Sequence, residues 1–164
     1  MKKITKNHRK EINEKLPYLR KLIEREDTDY QIIFVSVFDR WLTQDEFEPE
    51  IHTKDSREIS IRRDNLQNFI KGLFNMTPTF TWRIKRKNRF IIYPFDTEKQ
   101  ILNKVDIQNQ HSESGQRYDL ILPEFEAVYS EEWDWTNIIW FRNQEKLEPL
   151  IELAEKSGLY ILKK

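Results

Sequence analysis

The chain contains no cysteine. That absence excludes disulfides, thiolate zinc sites, iron–sulfur clusters and cysteine nucleophiles, and it fits a reducing compartment. Glycine is almost as scarce: Gly72, Gly115 and Gly158 are the only three, and none lies near another. A phosphate-binding P-loop and a dinucleotide fingerprint both need clustered glycines, so neither is present. Long apolar runs are missing too. No stretch approaches the roughly 18 apolar residues of a membrane helix. After the basic start, Asn7, His8, Arg9, Lys10 and Glu11 stand where a secretory signal would carry its apolar segment. The expectation is a cytoplasmic protein with no membrane association. An excess of either charge is also lacking, because 28 basic residues meet 28 acidic ones. Such a chain is no general polyanion coat, and any charge-driven function has to come from a local patch.

What is present suits a folded protein. A length of 164 residues fits one domain, 1–164, and is enough to bury a core without covalent staples. Aromatic residues make up 13% of the chain, the opposite of a disordered composition. The Lys, Ile and Asn usage matches a bacterial or phage chain from an AT-rich genome.

Hydrophobic spacing then divides the chain. Ile12, Leu16, Leu19, Leu22 and Ile23 share a helical face, so residues 1–29 read as a helical N-terminal segment packing on a sheet. Pro17 breaks or restarts that helix. Gln31 to Phe38 is apolar at both parities, as a central strand covered on both faces would be. The acidic stretch Thr43 to Asp55 reads as a loop or edge strand. A short alternation over Glu58–Arg62 precedes a helix carrying Leu66, Phe69, Ile70, Leu73 and Phe74, with Asp64 as its cap and an end near Asn75. Thr79–Lys85 and Arg89–Phe95 form a hairpin. Thr97–Ser114 is ambiguous, with a short helix at Ile101–Val105 and a mobile loop over Gln108–Gly115. Strands follow at Arg117–Leu122, Phe125–Tyr129 and Thr136–Phe141. A helix carrying Leu147, Leu150, Ile151 and Ala154 stops at Gly158, and a last strand covers Leu159–Leu162. The sum is an α+β domain: a mostly antiparallel sheet with helices packed on one face.

Candidate chemistry is sparse. His8, His52 and His111 show no metal-ligand spacing, so no metal and no cofactor are expected. No Gly-x-Ser-x-Gly elbow exists, and Ser112 and Ser114 beside His111 do not amount to a triad. Asp119, Glu124 and Glu126, followed by further acids, are the raw material for a metal-dependent carboxylate enzyme, but a companion lysine at strand spacing is missing. No catalytic residue is assigned.

Two local features rise above this background. Glu131, Glu132 and Asp134 interleave with Trp133 and Trp135, a pattern suited to gripping a basic protein. The leading expectation is therefore a non-enzymatic protein-binding domain, such as a bacterial immunity-type or antitoxin-type protein covering a basic toxin. The second feature is a basic hairpin. Arg83, Lys85, Arg86, Lys87 and Arg89 lie beside Phe80, Trp82 and Phe90, which suits a nucleic-acid-binding module. Lys2, Lys3, Lys6, Arg9 and Lys10 would strengthen it only if the first helix lies on the same face.

Overall fold

The computed structural model describes residues 3–105, 118–132 and 134–163. Helix α1 (Lys6–Lys15) begins at Thr5, whose hydroxyl accepts a hydrogen bond from the His8 amide (3.2 Å). The chain breaks at Pro17, passes through Tyr18 in the left-handed region (φ 59°) and resumes as α2 (Leu19–Ile23). Ile12, Leu16, Leu19, Leu22 and Ile23 are all buried, so the expected apolar face continues across the break.

Strand β1 (Gln31–Ser36) follows. The acidic stretch expected as loop or edge strand is instead helix α3 (Gln44–Ile51). Its cause is a capping box, in which the Glu46 carboxylate accepts from the Thr43 amide (2.9 Å) while Thr43 caps the helix start. Helix α4 (Ser56–Met76) starts two turns earlier than expected. Asp55 caps it, not Asp64, by accepting from the amides of Arg57 (2.9 Å) and Glu58 (3.2 Å). The apparent alternation at 58–62 is therefore helical, and Ile61 points to solvent.

The hairpin is present as β2 (Phe80–Lys85), a 3-10 turn (Arg86–Asn88) and β3 (Arg89–Pro94). Helix α5 (Glu98–Val105) comes next, and the expected mobile loop at 108–115 lies outside the described residues. Strands β4 (Asp119–Leu122), β5 (Ala127–Ser130) and β6 (Thr136–Phe141) form a meander. Helix α6 (Glu148–Lys156) ends at Gly158, whose φ of 78° suits the residue type, and β7 (Tyr160–Leu162) follows.

The seven strands make one antiparallel sheet in the order β3-β2-β4-β5-β6-β1-β7. β1 lies between β6 and β7, one place from the edge and not at the centre as expected. The expected one-face packing of helices describes α3 to α6, which cover a face built from Ile33, Leu120, Tyr129, Ile139 and their neighbours. Helices α1 and α2 lie on the other face, where Ile12, Leu16 and Leu22 pack against Phe80, Phe90, Ile92, Ile121 and Val128. Alternation along β2, β4 and β5 presents apolar residues to both sides, so each face needs its own cover. The N-terminal helices cover only part of their face. On β1 and β6, Ile32, Phe34, Ile138 and Trp140 stay half-buried, with the Trp41 ring edge-on to Phe34 (4.8 Å).

Leu16→Ala is expected to cost about 3 kcal/mol, the usual range for an emptied aliphatic core position. Urea unfolding would show a lower midpoint at unchanged slope. A loss below about 1 kcal/mol would mean that α1 and α2 are peripheral to the core.

Candidate nucleic-acid interface

The described residues of the acidic aromatic loop are buried or half-buried, not exposed as the loop's composition suggests. Trp135 adopts φ 63°, which swings the side chain into the core, where its Nε1 donates to the Ile51 carbonyl (3.3 Å). Its ring lies 5.6 Å from the guanidinium of Arg62, which also sits 4.8 Å over Phe38. Arg62 is itself buried, donating to the Glu50 carbonyl (2.7 Å), to the Glu50 carboxylate (2.8 Å) and to Glu58. Glu131 is also buried. Glu132 pairs with Arg25 (3.4 Å), and the Asp134 carboxylate accepts from the Thr136 amide (3.2 Å). Trp133 lies outside the described residues.

The carboxylates considered for a metal are scattered among separate partners. Asp119 is buried, accepts from Trp82 Nε1 (3.0 Å) and Ser130 Oγ (2.6 Å), and lies 3.4 Å from Arg25. Glu124 takes a hydrogen bond from Lys15 (2.8 Å), which holds its carboxyl below the usual range and raises the Lys15 amine. Glu126 accepts from Lys146 (2.7 Å). Among the described residues no group of three His, Cys, Asp or Glu side chains comes together in a way that could hold a metal. His8 packs edge-on against Phe80 (5.1 Å) and His52 lies beside Glu48 (3.5 Å), while His111 is outside the described residues.

The basic hairpin is exposed along its length. Arg83, Lys85, Arg86, Lys87 and Arg89 all face solvent. Its aromatics do not: Phe80 and Phe90 are buried beneath α1, and Trp82 stacks on Phe90 (5.7 Å). The register pairs Lys85 with Arg89 and Arg83 with Ile91, so these strand cations lie on one face of the hairpin. Arg83 and Lys85 flank the Tyr93 ring on one face, at 6.0 and 5.7 Å.

Arg89, at the edge, also borders a groove of about 950 Å³ that runs between edge strand β3, the start of α1 and the start of α2. Docking of α1 brings the N-terminal cations to this groove. Lys3, Lys6, Arg9 and Arg20 line it with Arg89, and the lining residues include no carboxylate. Arg20 is fixed to the hairpin end, donating to the Asn88 side chain (2.9 Å) and carbonyl (3.3 Å), and it also pairs with Glu24 (2.9 Å). Lys3, Lys6, Arg9 and Arg89 form no ion pair among the described residues. Tyr18 stands at the rim, 64% exposed, held there by the left-handed turn after Pro17, with Lys21 5.7 Å from its ring. Tyr18 and Arg20 were not among the residues singled out from sequence. Their signal was an aromatic placed directly after a helix-breaking proline in a basic segment.

No protein-family model, curated protein or solved structure matches the chain. Functional inference therefore rests on the geometry of the site.

Because Trp135 fills space between Arg62 and the core, Trp135→Ala should cost about 4 kcal/mol of stability. Thermal or urea unfolding checks this directly. A variant of unchanged stability would return Trp135 to the set of surface binding residues.

Proposed function

We propose that this protein binds single-stranded nucleic acid in the groove between α1, α2 and strand β3. The observation that carries this reading is five cations and an exposed tyrosine around one concavity whose lining holds no carboxylate. The four of them without an ion pair among the described residues, Lys3, Lys6, Arg9 and Arg89, would release condensed counterions on meeting phosphates, which gives affinity without sequence preference. An exposed aromatic ring supplies the second element of single-strand binding, a platform on which a base stacks. Tyr18 is held open at no cost to the core, since its neighbours Leu16 and Leu19 carry the burial. The hairpin tip, Arg86 and Lys87, extends the positive surface beyond the groove mouth.

A protein partner such as a basic toxin draws less support. Among the described loop residues the carboxylates of Glu132 and Asp134 already accept hydrogen bonds within the fold.

Fluorescence anisotropy with a short labelled oligonucleotide tests the proposal. Binding should weaken with salt along a log–log slope of about −2 to −3, as expected when three or four phosphates of a single strand are neutralised. Lys6→Ala with Arg9→Ala should flatten that slope by about 1.4. Tyr18→Ala should weaken binding by roughly tenfold at unchanged slope, since stacking is worth ~1–3 kcal/mol per base. Absence of binding at about 20 mM salt, where screening is weak, would refute the reading.

A further inference from the structure

A second, smaller cleft of about 510 Å³ opens where β2 and β4 part. These two strands share one residue pair, Phe80 with Ile121, and beyond it β2 runs on toward the hairpin tip without a strand partner on that side among the described residues. Thr81, Trp82, Arg83, Lys104, Tyr118 and Asp119 border the gap, and none of them borders the basic groove.

The chemistry of the cleft is unbalanced. Lys104 makes no hydrogen bond or ion pair among the described residues, although it is half-buried. Burial, and the Arg83 charge beside it, push its amine below the usual lysine range, while Asp119 pulls the other way. That carboxylate is already engaged by Trp82, Ser130 and Arg25. Thr81 is 1% exposed, and its hydroxyl has no hydrogen-bond partner among the described residues. A buried hydroxyl without a partner costs free energy, and so does a half-buried lysine beside the charge of an exposed arginine. One anion would relieve both.

We propose that the cleft between β2 and β4 is a binding site for a phosphomonoester, with Arg83 and Lys104 pairing the phosphate and the Thr81 hydroxyl donating to it. The two cations supply the charge-assisted hydrogen bonds that a dianionic group favours. Tyr118 gives the remaining volume an aromatic side, which suits a small ring carried by the phosphate. The phosphate can belong to a free mononucleotide or to the 5′ end of a strand.

Calorimetry on the intact chain at low salt distinguishes these sources. The probes are adenosine 5′-monophosphate, inorganic phosphate, adenosine, and one oligonucleotide with and without a 5′-phosphate. For a free mononucleotide, adenosine 5′-monophosphate binds more tightly than phosphate, and adenosine gives no heat. Lys104→Met and Thr81→Val then each weaken it by roughly tenfold, the usual size for a lost hydrogen bond to a charged group. For a strand end, the 5′-phosphorylated oligonucleotide binds more tightly than its unphosphorylated twin, and Lys104→Met abolishes that difference. Both variants keep the wild-type urea midpoint, and both bind the unphosphorylated oligonucleotide as the wild type does. That last readout separates failure of the cleft from failure of the groove. If neither probe carrying a phosphomonoester is preferred over its unphosphorylated counterpart, or if both variants bind as the wild type does, the assignment is overturned.

Discussion

The constraint on which the rest of the molecule depends is the seam between β2 and β4. Among the described residues a single ladder pair, with the Trp82–Asp119 hydrogen bond beside it, joins the β2–β3 hairpin to the other five strands. A two-stranded hairpin is marginal on its own, and one ladder position adds little to it. The seam is closed from one side by the N-terminal helices. Ile12, Leu16 and their neighbours touch Phe80, Phe90 and Ile92 on the hairpin and Ile121 and Val128 across the seam, all in one cluster. Buried aliphatic side chains contribute about 1.5–3 kcal/mol each, enough for a handful of them to hold the two parts together. The dependence is mutual, because helices of ten and five residues do not persist alone in water. Both candidate sites are products of this junction. The groove exists because α1 and α2 sit against the outer edge of the hairpin, and the cleft exists because the ladder beneath them stops.

Charge is balanced in total and segregated in use. Many of the carboxylates are consumed by structure. Asp55 and Glu46 serve helix starts, Glu50 and Glu58 hold Arg62, Glu124 and Glu126 hold Lys15 and Lys146, and Asp119 ties Arg25, Trp82 and Ser130 together. Several cations of the N-terminus and the hairpin have no such duty. Ion pairs elsewhere thus leave a positive surface at one end of a neutral chain, which a formal charge of zero conceals.

The local elements were legible where side-chain period and backbone chemistry agreed. The break at Pro17 and the stop at Gly158 each follow from one residue's conformational limits, and the hairpin follows from the short polar link Arg86–Asn88 between two alternating segments. Reading failed where a long-range partner decides the outcome. Arg62 occupies a buried position on α4 that the pattern treats as polar, and exposed Ile61 beside it imitates a strand, so the first two turns of that helix were missed. Trp135 looked like a surface residue among acids, but its left-handed backbone and the distant Arg62 draw it inward. The helix α3 did carry a local signal, Thr43 three residues before Glu46, which the density of acids obscured. The basic hairpin was legible as charge. Its union with Lys3, Lys6 and Arg9 was not, because it depends on where α1 docks.

The strandedness of the proposed ligand follows from what the groove offers. A duplex hides its base faces and presents phosphates on a convex surface, so it is met by a helix or ribbon that protrudes into a groove of its own. Here the cations surround a concavity, and at its rim Tyr18 is the side chain with no packing role that its exposure would sacrifice. A ring in that position gains nothing from a phosphate backbone and gains a stacking partner from an unpaired base. The turn after Pro17 fixes the ring before any ligand arrives, in a backbone region that few residues other than glycine adopt. A tyrosine there carries a conformational cost that glycine would avoid. The same turn joins two helices that must stay docked to close the seam. In this protein the proposed aromatic platform and the cohesion of the sheet therefore share one short stretch of chain.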